Sequence, residues 1–297
     1  MKYGLHLAGG ALVCGRKELK EVAAAAEELG FDSILIGDHI INAKKIESPW
    51  PYTEYYGNDL KKLPFEIYTD APWLDAFEAL AFLAAATETP RLGMSVLIVP
   101  YRNPYDVARR VATLDVLSGG RMILGVGVGW MEEEFQLLGI PFKERAQRTR
   151  EYVAVMKAVW TQENPRFDGQ FIKLDRDVNM LPRPLQQPHP PIWVGGESMP
   201  AMRRVVEFGD GWHIALLTLE QIRSLYERLR VAMDKAGRDF AKLEFTAMVD
   251  MTRLSPSLVE SYRKFNVSTL YMAPLGGTLT EFIAGMRRFA QMVREAG

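Results

Sequence analysis

Apolar residues along this chain follow two alternating rhythms. Short apolar runs stand near residues 3, 33, 93, 122, 192, 212, 244 and 269, and each predicts a buried strand. Longer stretches repeat their apolar residues at helical spacing. They run over Leu19 to Leu29, Ala76 to Ala86, Glu144 to Trp160, Pro200 to Phe208, Leu219 to Ala236, Leu258 to Phe265 and Leu279 to Val293. Gly30 and Gly209 stand where two of these helices should stop, and Asn103-Pro104 opens a further one. The stretch from Leu92 to Trp130 shows the unit most plainly. An apolar run (Met94 to Val99) is followed by a helix, the pair Gly119-Gly120, and a second run ending in Gly125-Val-Gly-Val-Gly129-Trp130. A strand, a helix and a strand in that order make parallel strands. Eight such units predict an α/β fold, a TIM (β/α)8 barrel in one domain over residues 1–297. An open doubly wound sheet is the runner-up. In either fold ligands are expected at the carboxyl ends of the strands.

Two insertions break the rhythm. Residues 40–72 are rich in Pro, Tyr and Trp and have no sustained period; Trp50, Tyr52, Tyr55, Tyr56 and Tyr68 lie there, with Trp73 just beyond. A long loop with that many aromatics has apolar area to bury, so it reads as a lid or wall over a pocket. Residues 163–190 hold a hairpin-like turn at Phe167 to Phe171 and run on into a proline-rich segment that ends at Pro191.

Composition narrows the function classes. The 297 residues are 48% hydrophobic and 25% charged, ordinary for a globular chain with a substantial core. A net charge of −1 supplies no electrostatic reason for a nucleic-acid or membrane partner. Cys14 is the single cysteine, so no intrachain disulfide and no thiolate metal cage is available. No apolar span approaches the ~20 residues of a membrane helix, and the start lacks the regions of a signal peptide. The expected setting is the cytoplasm, and the expected partner is a small-molecule substrate.

The candidate chemistry gathers at predicted strand ends. Asp38-His39 follows the second strand, where His39 can serve as acid, base or hydrogen-bond partner. Gly125-x-Gly-x-Gly places its third glycine too early for a dinucleotide fingerprint. It reads either as close backbone approach to a flat ligand or as tight packing at a barrel rim. Gly195-Gly196-Glu197-Ser198 offers amides and a hydroxyl at a helix start, suited to a phosphate, with Ser198 also a natural N-cap ahead of Pro200. Ser95 is the polar exception in an otherwise apolar run. His6, His39, His189 and His213 are scattered and make no metal-ligand spacing, and no GxSxG elbow occurs.

Taken together, four segments resemble the bacterial luciferase-like superfamily, and within it the branch dependent on the deazaflavin coenzyme F420. They are Gly30 to His39 (GFDSILIGDH), Arg91 to Pro104 (RLGMSVLIVPYRNP), Leu114 to Trp130 (LDVLSGGRMILGVGVGW) and Pro191 to Gly196 (PIWVGG). The resemblance implies an oxidoreductase carrying F420, or alternatively FMN, across the barrel mouth. It further implies a non-prolyl cis peptide at Ser95-Val96 forming a bulge against the cofactor ring, Asp38-His39 near the ring, and Gly195-Gly196 at the cofactor phosphate. On this reading His39 is the catalytic candidate, and Asp38, Ser95, Val96, Gly127, Trp130, Gly195, Gly196, Glu197 and Ser198 are the cofactor-binding candidates. A homodimer is expected from the resemblance alone. Trp130 stands where the best-known deazaflavin dehydrogenases carry a glutamate acid; Glu132, Glu133 and Glu134 follow, read as opening a helix favoured by its dipole. Two other readings stay open: an FMNH2-dependent monooxygenase on the same fold, and a relative that binds a ligand without turnover.

Overall fold

The computed structural model describes residues 1–7, 11–49, 72–273 and 277–296. Most of the first insertion, with Trp50, Tyr52, Tyr55, Tyr56 and Tyr68, lies outside the described residues. The barrel strands are β1 (Lys2–Leu7), β2 (Ser33–Ile36), β3 (Arg91–Met94) with its short continuation β4 (Leu97–Ile98), β5 (Met122–Gly127), β8 (Ile192–Gly195), β9 (Gly211–Ala215), β10 (Glu244–Met248) and β11 (Thr269–Met272). Between β5 and β8, β6 (Phe167–Asp168) and β7 (Lys173–Leu174) form a separate antiparallel hairpin, the turn expected there. Every barrel pairing is parallel, and the order β1-β2-β3-β5-β8-β9-β10-β11 returns to β1. The sheet is therefore a closed eight-stranded barrel, as the alternation of short runs and helices predicted.

The helices among the described residues are α1 (Arg16–Leu29), α2 (Ala76–Ala86), α3 (Pro104–Leu117), α4 (Glu132–Leu137), α5 (Arg145–Thr161), α6 (Met199–Phe208), α7 (Leu219–Lys235), α8 (Pro256–Lys264) and α9 (Leu279–Glu295). Their ends follow local chemistry. Asp75 and Asn103 accept the N–H groups of Phe77 and Tyr105, and Thr218 and Thr278 close capping boxes with Gln221 and Glu281. Gly30 ends α1 at φ 74°, a left-handed conformation that a side chain would penalise. No described helix is long and apolar enough to cross a membrane.

Strand alternation divides the core in two. Tyr3, Leu5 and Leu7 of β1 face the helices and join the main apolar cluster, each large aliphatic there contributing about 1.5–3 kcal/mol by leaving water. Gly4 faces the lumen, where an added Cβ would lie 2.3 Å from the Tyr271 ring. The lumen packs Leu35, Ile123, Trp193 and Tyr271 together. At the amino-terminal end of the strands Arg91 pairs with both carboxylate oxygens of Glu244 and lies over the Trp193 ring. The second insertion is pinned by Gln186, which reaches Asp115 and the Met122 carbonyl.

One predicted strand is interrupted. The apolar run Met94 to Val99 is not continuous: β3 ends at Met94, the backbone bulges at Ser95–Val96, β4 resumes for two residues, and Val99–Tyr101 turn away. Met94, Leu97, Ile98 and Val99 on either side are buried, while Ser95 and Val96 are only partly buried, and an apolar run alone does not show such a break.

Candidate active site

Four neighbouring strands bring the predicted residues to one arc of the barrel mouth. β2 delivers Asp38 and His39, the bulge after β3 delivers Ser95 and Val96, β5 delivers Gly127 and Trp130, and β8 delivers Gly195 to Ser198. The Ser95–Val96 peptide is cis. Ser95 N–H donates to the Ile36 carbonyl at 2.8 Å, and Ser95 O lies 2.9 Å from His6 Nε2. The Val96 side chain fills the space beside two glycines: a Cβ would stand 2.3 Å from Val96 Cγ2 at Gly127 and 2.5 Å from Val96 Cγ1 at Gly195. At Gly125 the obstacle is backbone, with the Met94 carbonyl only 1.8 Å from such a Cβ. Gly125 and Gly127 are thus small because the bulge crowds them. Of the two readings of Gly-x-Gly-x-Gly, tight packing at the rim is what the contacts carry.

His39 is held by a buried carboxylate that comes from α4. Glu134, fully buried, accepts from His39 Nδ1 at 2.6 Å, from Tyr101 Oη at 2.9 Å, and from the N–H groups of Ile40 and Ile41 at 2.7 and 3.1 Å. Burial would push the Glu134 carboxyl up, yet the His39 contact and the two backbone donors outweigh it and hold its pKa below the ordinary value. A carboxylate only accepts, so Nδ1 of His39 carries the proton and the tautomer is fixed. Trp73 packs edge-on against the His39 ring at 4.8 Å between centroids. Burial and the Glu134 charge both push the Tyr101 hydroxyl pKa upward, so it stays a donor. Glu133 caps the other side of the insertion, accepting from the N–H groups of Glu47 and Ser48 and from Ser48 Oγ.

Asp38 is occupied by protein. Arg102 donates to both of its oxygens at 2.7 and 2.8 Å, and Ile98 N–H adds a third bond at 3.0 Å. Burial pushes the Asp38 carboxyl up while these donors oppose the shift. The result ties the β2 exit to β4, immediately after the bulge. At the β8 exit, Gly196 adopts φ 100° and its carbonyl accepts from Trp212 Nε1 at 2.8 Å. Glu197 accepts from Ala215 N–H at 2.8 Å, and burial raises its carboxyl to about 7. Ser198 caps α6 through Ala201 N–H, with Pro200 in the first turn, as expected.

A family model described as luciferase-like monooxygenase matches residues 6–252. The chain belongs to that family. This luciferase-like protein is 32% identical over 245 residues to an uncharacterised protein of Mycobacterium tuberculosis, covering 80% of each chain. It is 34% identical over 151 residues to the FMNH2-dependent dimethylsulfone monooxygenase of Pseudomonas putida, covering 50% of this chain and 41% of that one. It is 29% identical over 268 residues to the F420-dependent glucose-6-phosphate dehydrogenase of Amycolatopsis mediterranei, covering 88% and 71%. The crystal structure of the monooxygenase RslO1 from Streptomyces bottropensis superposes with a TM-score of 0.77 at 20% identity, covering 99% of both chains, which supports the barrel fold.

Sequence reasoning missed Glu134, Tyr101 and Arg102 as parts of this luciferase-like site. Glu134 did leave a signal. Met131, Glu134, Phe135 and Leu138 share one helical stripe, and a carboxylate on an apolar stripe is an anomaly that asks for a partner. Arg102 left none, because an arginine in a loop is usually solvated. Trp130 is half-buried between Gly129, at φ 80°, and the start of α4.

Proposed function

We propose that this luciferase-like protein is an F420-dependent oxidoreductase that exchanges hydride between the deazaflavin and a small organic substrate. The observation that carries the reading is the Ser95–Val96 bulge, seated against Gly127 and Gly195 on the same rim as the His39–Glu134 pair. The residues fit a flat ring joined to an anionic end. Val96 offers an apolar face, and the first turn of α6 after Gly195-Gly196 offers backbone N–H groups suited to a phosphate. Glu197 beside it can hold a proton near neutral pH, which limits its repulsion of an anion. Arg145 Nε is buried with no partner among the described residues and shares like-charge repulsion with the buried Arg204 of α6, an arrangement that an anion relieves. Asp38 acts here by fixing Arg102 and the strand beyond the bulge, so its contribution to cofactor binding is through the shape of the wall.

F420, when bound, supplies the carbon that gives or takes the hydride. The chain supplies position and proton handling. Glu134 keeps the proton on His39 Nδ1, so proton exchange with substrate is assigned to Nε2. Trp73 packs on His39, whose side chain is 8% exposed, a setting that limits competing water. Trp130 stands on the same rim and offers no acid, so the proposed proton route uses His39. The similarity to the FMNH2-dependent enzyme favours one second reading, reduced FMN with oxygen on the same scaffold. The remaining expectations travel with this proposal: a single domain, a cytoplasmic setting and a homodimer.

Titration of the purified protein with F420 and with FMN, followed by ring fluorescence, tests it. Saturable F420 binding in the micromolar range is expected. Saturable binding of FMN alone overturns the deazaflavin assignment, and failure of both removes the oxidoreductase reading.

A further inference from the structure

We infer that His6, in the barrel lumen, is a positioning residue that sets the orientation of the Ser95–Val96 peptide against which the cofactor ring would lie. The inference rests on the function proposed above. Alternation along β1 puts Gly4 and His6 in the lumen, and His6 rises from β1, separated only by β2 from the β3 strand that carries the bulge, 89 positions away in sequence. Its Nε2 lies 2.9 Å from Ser95 O. A carbonyl only accepts, so Nε2 carries the proton and Nδ1 is bare, with no partner among the described residues. Burial lowers the His6 pKa, which keeps the ring neutral and in that one tautomer. The ring lies parallel to His213, 6.5 Å between centroids, and His213 is itself fixed by Thr246 Oγ1 at 2.8 Å.

The peptide unit is rigid, so the direction of the Ser95 carbonyl and the placement of the Val96 Cα are set together. One hydrogen bond holds that unit and another holds the peptide unit just before it. Ser95 N–H is clamped to Ile36 O on β2, and Ser95 C=O to His6 on β1. Val96 is then wedged where only glycines leave room. Without His6 the carbonyl loses its donor in a water-poor lumen, and the plane is free to tilt against whatever rests on Val96. Leu35, Ile123 and Trp193 at the same lumen offer apolar surface, and Trp193 Nε1 makes no hydrogen bond to Ser95 among the described residues.

The test compares wild type with His6→Leu, His6→Gln and His6→Asn. The readouts are dissociation constants for F420 and FMN, the absorption maximum of the bound ring, and the thermal midpoint of the cofactor-free protein. Gln places its terminal amide close to where His Nε2 sits, whereas Asn stops short. His6→Leu is expected to weaken binding about tenfold, the equivalent of one hydrogen bond, and to shift the absorption maximum. His6→Gln should stay within about threefold of wild type, the loss left by an imperfect hydrogen bond. Should His6→Leu fail to fold, the Gln and Asn pair decides, because both are polar and only Gln reaches. Equal affinity and spectrum for these two, or a His6→Leu protein that loses only thermal stability, overturns the inference and leaves the proposed function standing. A wild type that binds neither cofactor overturns the function and the inference with it. In the cofactor-free protein, a long-range nitrogen–proton correlation spectrum at neutral pH should show His6 protonated at Nε2; protonation at Nδ1 overturns the assignment independently.

Discussion

Replacing Glu134 by Gln changes one oxygen to an amide nitrogen at the centre of four donors. The Gln carbonyl can still accept from Ile40 and Ile41 N–H, while the amide faces His39 Nδ1 and Tyr101 Oη, which are donors themselves. The charge-assisted bond to His39 is worth about 1.5–3 kcal/mol and the Tyr101 bond about 0.5–1.5, so E134Q should cost about 2–4.5 kcal/mol. Glu132 and Glu133 occupy the same first turn of α4 and feel the same helix dipole. Glu132 is exposed, so E132Q should cost under about 1 kcal/mol, the dipole contribution alone. Glu133 binds two backbone N–H groups and Ser48 Oγ; E133Q keeps one acceptor and should cost about 1 kcal/mol. Urea unfolding followed by circular dichroism gives all three values, provided the slopes agree. Three variants within about 0.5 kcal/mol of one another, inside the spread of ordinary surface substitutions, would refute the argument. They would mean that Glu134 serves the helix dipole and does not hold the His39 segment.

Two further predictions use the buried site without a cofactor. Burial lowers His6 and takes His213 down to about 3, so each histidine contributes stability that is present above about pH 6.5 and lost as pH falls. Glu197, raised to about 7, has the opposite sign: its contribution is present below about pH 4.5 and lost as pH rises through 7. Near pH 5.5 the proton that unfolding adds to His213 is matched by the one it releases from Glu197, so these two groups leave the slope near zero, and His6 acts in the same direction as His213. Glu197→Gln removes the offset and should steepen the slope by about 1.4 kcal/mol per pH unit; unfolding curves with the same slope in both proteins would show Glu197 to be an ordinary carboxyl. Gly127→Ala should cost about 1–3 kcal/mol by overpacking, and less in a Val96→Ala background, since its Cβ would meet Val96 Cγ2 at 2.3 Å. An equal cost in both backgrounds, read from a double-mutant cycle, would show that the glycine is not making room for Val96.

The barrel was legible from the chain because its determinants are local and repeated. Strand runs, helical spacing, Gly30 and the Asn103-Pro104 start each act within a few residues, and the closed sheet follows from eight parallel repeats. The strand-end position of Asp38, His39, Gly127, Trp130, Gly195, Gly196, Glu197 and Ser198 followed from the same order of elements, whereas the bulge at Ser95 and Val96, inside one apolar run, was implied only by the family resemblance. What each of these residues touches did not follow from that order. Asp38 reads as a cofactor-binding candidate in sequence, and only the fold sets Arg102 against it. Gly125 and Gly127 read equally as ligand approach or as packing until Met94 O and the Val96 side chain occupy their space.

The sequence by itself determined which segments are buried, the order of strands and helices, and that polar or glycine residues gather at most strand ends. The tertiary structure decided that Glu134, 95 residues from His39, orients it. It decided too that His6 lies under the Ser95 carbonyl, 89 residues away. The reason is physical. Periodicity reports the solvent exposure of a position, which neighbours in the chain largely set. A hydrogen-bond partner is selected by where strand register and barrel closure bring a distant side chain, and short-range pattern carries no record of that distance.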